Sequence, residues 1–401
     1  MAKPSFKEWL YDHQAFIRRP EFIEAKMALP DLNELSLEMG PNCNLHCPHC
    51  NVECGPDRIG LPDLGTTVKL LDEACRLRMK SVTLTCGEPL RDENKAVVGA
   101  VSAFSKFLVT EVITNGVFAH SFDNAVKWFE FMKERGLDFS KRGRLSVSVG
   151  STYFVPLRNY ANLNRALMAV YPRADWGQFL IYRHLNVLDN EANKRLIYQM
   201  GDVFEETFGS KKESDLGWGP RREPLINIYP RKGGRSIRFV SYQCVSRGRA
   251  KNFDWSTRES EKLREIKPQD ITSVDCQEGQ GVEAGFDGNI TFTDCREMYR
   301  DRRYGNVVSD PLSVILDRIR ADSFFQGFKL GGVSLLYYAA RQVRPGLTIV
   351  GRRGSDVLRV IRGDTEIAEE VRQYLEKKGV VNTYNQLMAT IDFRRKQRVG
   401  L

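Results

Sequence analysis

Cys43, Cys47 and Cys50 stand in the run Pro-Asn-Cys-Asn-Leu-His-Cys-Pro-His-Cys, a Cys-x3-Cys-x2-Cys spacing. Thiolates this close in sequence suit one iron–sulfur cluster, and a four-iron cluster held by three of them keeps one iron open. An open iron turns an electron carrier into a catalyst. The same residues also suit a tetrahedral zinc site completed by a histidine or by Cys54. As a fourth iron ligand Cys54 would close the open corner, so it reads as structural or incidental.

The elements that must carry these residues alternate between strand and helix. The sequence predicts strands over Leu35–Met39, Ser81–Thr85, Val109–Thr114, Arg144–Val149, Gln178–His184 and Ile237–Tyr242. Helices are predicted over Thr66–Met79, Glu93–Phe107 and Asn124–Arg135. The first of them presents Val68, Leu70, Leu71, Ala74 and Leu77 on one face. This alternation implies parallel β-α units, whose ligands bind at the carboxyl ends of the strands. Each candidate motif falls at such an end: the cysteine triad, Cys86-Gly87-Glu88-Pro89, and Thr114-Asn115-Gly116.

On those three motifs, in that order, the chain resembles the radical S-adenosylmethionine superfamily over residues 33–250. The resemblance implies an α/β fold, a partial (β/α)6 TIM-like barrel, with a smaller α+β C-terminal auxiliary domain and terminal helices. It divides the chain into 1–32 (helical extension), 33–250 (barrel), 251–325 (auxiliary domain) and 326–401 (helical, basic). It implies a [4Fe-4S] cluster on Cys43, Cys47 and Cys50 whose free iron chelates S-adenosylmethionine. The reduced cluster would then cleave the cofactor to a 5′-deoxyadenosyl radical that abstracts hydrogen from a substrate carbon.

Glu88 and the backbone beside Gly87 would meet the methionine ammonium, with Pro89 shaping the strand exit and His49 lying against the adenine. Asn115 belongs to the third strand-end motif. Ser148, or its same-face neighbour Ser146, would approach the cofactor's carboxylate or ribose, with Arg183 as a partner for that carboxylate. The bland alternative is that the serines alternate with core valines and that Arg183 is a solvated charge. Cys86 stands where the family usually has glycine, and reads as a tolerated small thiol.

Downstream, Cys276, Gly288 and Cys295 surround an Asp287-Gly288 turn between strand-like pieces, Val282–Phe286 and Ile290–Thr293. With Cys244 in Cys244-Val-Ser-Arg-Gly-Arg-Ala250 and with Gly305-Asn306-Val307, this resembles the SPASM and Twitch auxiliary domains. No cysteine follows Cys295, so two readings stay open. One is a second iron–sulfur cluster on Cys244, Cys276 and Cys295; the other is a degenerate domain that kept the hairpin without the metal.

Composition bounds the rest. The chain has 401 residues, 42% of them hydrophobic, as a globular protein does. Nine cysteines without a signal-like segment suggest a reducing cytoplasm and metal ligation rather than disulfides. No apolar run is long enough to span a membrane. The net charge is +9, with basic clusters at Arg352-Arg353 and Arg394–Arg398. They read as solvated helix ends, and nucleic acid is the less favoured partner. Ser5–Ala28 reads as short packing helices, and Thr365–Lys378 and Thr383–Lys396 as amphipathic ones. The expected partners are an electron donor such as flavodoxin or ferredoxin, and a substrate. A peptide or protein side chain leads as substrate, then a small metabolite such as an amino sugar or nucleoside, then RNA. The non-enzymatic alternative is a zinc-binding module.

Overall fold

The computed structural model describes residues 32–48, 50, 52–150, 155–172, 180–186, 191–208, 210–211, 217–218, 224–230, 237–243, 264–266, 281–292, 304–351, 354–380, 382 and 385. They fall into two compact units, residues 34–253 with 283–289, and the remainder. His49, Cys244, Cys276, Cys295, the opening helices and the segment Thr383–Lys396 lie outside the description, apart from Asn385.

The first unit is built on parallel strands. These are β1 (Glu34–Glu38), β2 (Ser81–Thr85), β3 (Val109–Thr114), β4 (Gly143–Val149), β5 (Leu180–Asn186) and, beyond β6 (Pro224–Pro230) in the chain, β7 (Ile237–Gln243). The parallel strands lie side by side in chain order, β1-β2-β3-β4-β5-β7, and β6 closes that run by pairing antiparallel with β7. Between them come α1 (Leu64–Arg76), α2 (Lys95–Phe104), α3 (Phe122–Glu134), α4 (Leu157–Val170) and α5 (Glu191–Phe208). Because β-α-β crossovers take one hand, strands in consecutive order put every helix on the same face. The fold is therefore α/β, an open (β/α)6 barrel segment, as the sequence predicts.

The alternation along each strand sets which face is which. Leu35, Leu37, Val82, Leu84, Val112, Leu145 and Val147 are all buried, and form the face that the helices cover. The opposite face carries Ser36, Glu38, Thr83, Thr85, Glu111, Ser146 and Ser148. Adjacent strands hold these level, through the pairs Ser36↔Thr83, Thr83↔Glu111 and Glu38↔Thr85. Parallel strands covered on both faces read as continuous apolar runs. Here one face is mostly apolar and the other, apart from Ile113 level with Ser146, mostly polar, so the polar face is available for chemistry.

Local chemistry fixes the helices. Asp63 caps α1 by accepting from the Thr66 amide at 2.7 Å, and Ser121 caps α3 by accepting from Asn124 at 3.2 Å. The buried face of α1 is Thr67, Leu70, Leu71 and Ala74. Val68 and Leu77, expected on that face, are 40% and 39% exposed. Thr67 takes the inward position because its hydroxyl donates to the Asp63 carbonyl at 2.8 Å, so it enters the core already satisfied. Under the helices an edge-to-face chain of rings runs from Phe118 to Phe129, Phe139 and Tyr171, with centroids 5.6–6.1 Å apart.

The other unit contains α6 (Leu312–Ala321), α7 (Ser323–Val343), α8 (Gly354–Gly363) and α9 (Thr365–Lys377). Its core includes an ion pair, Arg372 Nε to Asp322 Oδ1 at 3.1 Å, with both side chains more than nine-tenths buried. Tyr304 also donates to Asp322, at 2.5 Å. Among the described residues no helix is long and apolar enough to cross a membrane.

Candidate functional site

The cysteine loop is an excursion from the end of β1 that returns to its own base. The Cys43 amide donates to the Gly55 carbonyl at 3.1 Å, and the Gly55 amide donates to Pro41 at 3.0 Å. Inside that closure, the Cys50 amide donates to the Cys47 carbonyl at 3.1 Å. Cys43 is buried, while Cys47 and Cys50 are half-buried. No disulfide joins any two of the six described cysteines (43, 47, 50, 54, 75 and 86). Burial, then the nearby Glu88 and Cys50, pushes the Cys43 thiol up to about 11, partly offset by a backbone hydrogen bond from Leu45. A buried thiol set of this kind ionises when a metal's positive charge replaces the protons.

The ends of β2 and β3 close on this loop. Gly87, at φ +62°, fits against the loop backbone so tightly that a Cβ there would stand 2.3 Å from the Asn42 carbonyl oxygen and 2.5 Å from that of Gly40. Only glycine allows the approach. The next amide, of Glu88, donates to Asn42 at 3.2 Å. From β3, Asn115 donates through Nδ2 to Asn44 Oδ1 at 2.7 Å, and the same nitrogen lies 3.8 Å from the Cys43 sulfur. Its Oδ1 accepts from the Val117 amide at 2.9 Å.

Glu88 is the bracket between these ends. It is 1% exposed. Oε1 accepts from Thr114 Oγ1 at 2.7 Å and from the Leu90 amide at 3.0 Å, and Oε2 accepts from the Asn115 amide at 2.7 Å. Burial raises its carboxyl above the ordinary glutamate range, and the Asn115, Thr114 and Leu90 hydrogen bonds pull the other way. The family resemblance implies that Glu88 meets a ligand's ammonium. The geometry shows it first as a carboxylate that ties β2 to β3.

Of the remaining expected residues, Pro89 is buried in the turn after Glu88. Ser148 is half-buried on the polar face and level with Arg183 on β5, whose side chain is not described. Ser146 is fully buried and donates to Glu111 Oε1 at 2.5 Å. It alternates with core valines and also has a carboxylate partner that the sequence does not announce. Asn44, Glu38 and Glu283 are likewise missed by pattern alone. Glu38, Cys86 and Glu283 bring their ligand atoms within 4.8 Å of one another, with Cys86 donating to Glu38 at 3.5 Å.

No family model and no curated protein matches the chain. Among solved structures, native anSMEcpe with bound AdoMet and Cp18Cys peptide aligns at 12% identity, covering 88% of this chain and 99% of that one, with a TM-score of 0.42. BtrN in complex with AdoMet and 2-DOIA aligns at 14% identity, covering 75% and 89%, with a TM-score of 0.38. Streptococcus suis SuiB bound to S-adenosylmethionine aligns at 12% identity, covering 76% and 72%, with a TM-score of 0.33.

Downstream, the turn after Glu283-Ala284 forms as the sequence predicts. The Gly285 amide donates to Asn289 and the Gly288 amide to Gly285, both at 2.8 Å, with Gly288 at φ +81°. That is a three-residue hairpin with a left-handed glycine in its last position.

Proposed function

We propose that the chain is a radical S-adenosylmethionine enzyme. The observation that carries this is the convergence of three strand-end motifs: Asn115 on Asn44 and Cys43, Gly87 and Glu88 on the backbone of the cysteine loop, and Glu88 on Thr114 and Asn115. A zinc knuckle needs only its ligands, and this one is tied to two further strand ends over a polar face. Cys43, Cys47 and Cys50 would hold the [4Fe-4S] cluster, a donor set of three thiols. Bound there, the cluster would supply one-electron reductive cleavage of S-adenosylmethionine and, through it, hydrogen abstraction from a substrate carbon.

The chain's own residues bind and orient. A carboxylate has about four lone-pair sites, and three donors already occupy Glu88. The remaining one, on Oε2, suits a proton of the methionine ammonium. Gly87 leaves its backbone open to close approach. Ser148 and Arg183, level with each other on β4 and β5, suit the cofactor's carboxylate or ribose, and His49 its adenine. Ser36, Thr83, Glu111 and Ser146 give the inner face hydrogen-bonding groups, favouring a polar substrate. A peptide or protein side chain stands first, since the hairpin at 285–289 belongs to the auxiliary-domain pattern of that group. A second cluster on Cys244, Cys276 and Cys295 and an electron donor such as flavodoxin or ferredoxin belong to the same proposal.

The test is anaerobic purification followed by reduction in the presence of S-adenosylmethionine. Brown protein with about four iron and four sulfide per triad, yielding 5′-deoxyadenosine, supports the reading. Colourless zinc protein that leaves the nucleotide intact overturns it.

A further inference from the structure

We propose that Cys54, which lies outside the triad, is a positioning residue that locks the Gly87-Glu88-Pro89 turn onto the cysteine loop. The inference rests on the function proposed above and deepens it.

Cys54 joins the two loops through adjacent atoms. Its amide donates to the Cys50 sulfur at 3.3 Å. Its own sulfur accepts from the Gly87 amide at 3.1 Å. Backbone and side chain of this one residue both touch the Cys50 side chain, and the same sulfur also holds the cofactor-binding turn. The side chain is 3% exposed, with the Gly40 and Val52 carbonyls each 3.9 Å from the sulfur.

The Gly87 amide has a reason to need this partner. Gly87 stands two residues beyond Thr85, the last residue of β2, with φ +62°, so its N–H lies outside the β ladder. A backbone N–H that is withdrawn from water and left unpaired costs free energy comparable to a lost hydrogen bond. The sulfur supplies the acceptor. On the other side, hydrogen bonds to ligand sulfurs are one of the levers that set a cluster's potential, and the Cys54 amide is such a donor to Cys50. This gives one short loop two roles: Cys43, Cys47 and Cys50 would hold the cluster, and Cys54 fixes the turn that would receive the cofactor.

The test compares wild type, Cys54→Ala and Cys54→Ser, all purified anaerobically as full chains. Three quantities are read: iron per chain, the dissociation constant for S-adenosylmethionine by equilibrium dialysis, and hydrogen exchange of the peptide containing Gly87. Cys54→Ala is expected to keep its iron, to bind S-adenosylmethionine about tenfold more weakly, as loss of one hydrogen bond implies, and to exchange faster at Gly87. Cys54→Ser, whose hydroxyl can accept the same amide, is expected to recover both to within about threefold of wild type.

Loss of iron in Cys54→Ala would make Cys54 a ligand and overturn the proposal. So would unchanged affinity and exchange, or a serine variant no better than alanine. If wild type itself holds no iron, the enzymatic reading fails. The exchange comparison alone then decides the lock: faster exchange in alanine restored in serine sustains it, and equal rates overturn it.

Discussion

The helix-covered face of the parallel sheet and the loops at its carboxyl ends are held together by different physics. On the covered face, Leu35, Leu37, Val82, Leu84, Val112, Leu145 and Val147 are buried by apolar contact alone. At the strand ends the ties between loops are polar. Asn42, Asn44, Cys54, Glu88, Thr114 and Asn115 form a hydrogen-bonded mesh between three loops. Apolar packing is non-directional and tolerates change in shape, whereas a buried polar mesh is directional and costly to leave half-made. Stability and site geometry are therefore separable here, and single substitutions distinguish them.

The largest expected effect lies on the covered face. Leu37→Ala removes a fully packed side chain and is expected to cost about 2–5 kcal/mol of stability. Chemical denaturation measures that loss, and the affinity of the still-folded protein for S-adenosylmethionine should stay at the wild-type value. A matching fall in affinity would show that the two regions are coupled. Thr114→Val lies across the boundary. It leaves Glu88 Oε1 with only the Leu90 amide, and one missing partner on a buried carboxylate costs roughly 1–3 kcal/mol. Here affinity should fall together with the denaturation midpoint. The smallest effect is expected at Cys86, a non-glycine residue held at φ +59°. Cys86→Gly relieves left-handed strain and is expected to raise stability by up to about 1 kcal/mol, read in the same denaturation experiment. A loss there would mean that the contact of the thiol with Glu38 outweighs the backbone.

That contrast also explains what could be read from the residues in advance. Every strand expected in the first unit forms within a few residues of its predicted bounds, because alternation of apolar types reports the covered face directly. The three motifs are legible because each is a short run at a strand end. The mesh between them is not. Nothing in the spacing of Cys54 reveals that its sulfur meets an amide 33 residues away. Likewise, Glu111 as the partner of Ser146 depends on the β3–β4 register rather than on either local sequence. The face of α1 departs from the apolar pattern at Val68 and Leu77 for a related reason. Counting apolar types overlooks Thr67, a polar residue that satisfies its own hydroxyl within the helix.

The central claim is that the cysteine loop presents a metal corner that protein does not fill, next to a turn shaped to receive the cofactor. Electron paramagnetic resonance of the reduced, anaerobically prepared protein, recorded with and without S-adenosylmethionine, tests it most directly. The account predicts a cluster signal that shifts when the nucleotide is added and is absent from Cys43→Ala. A signal indifferent to the nucleotide, or none in wild type, would contradict it.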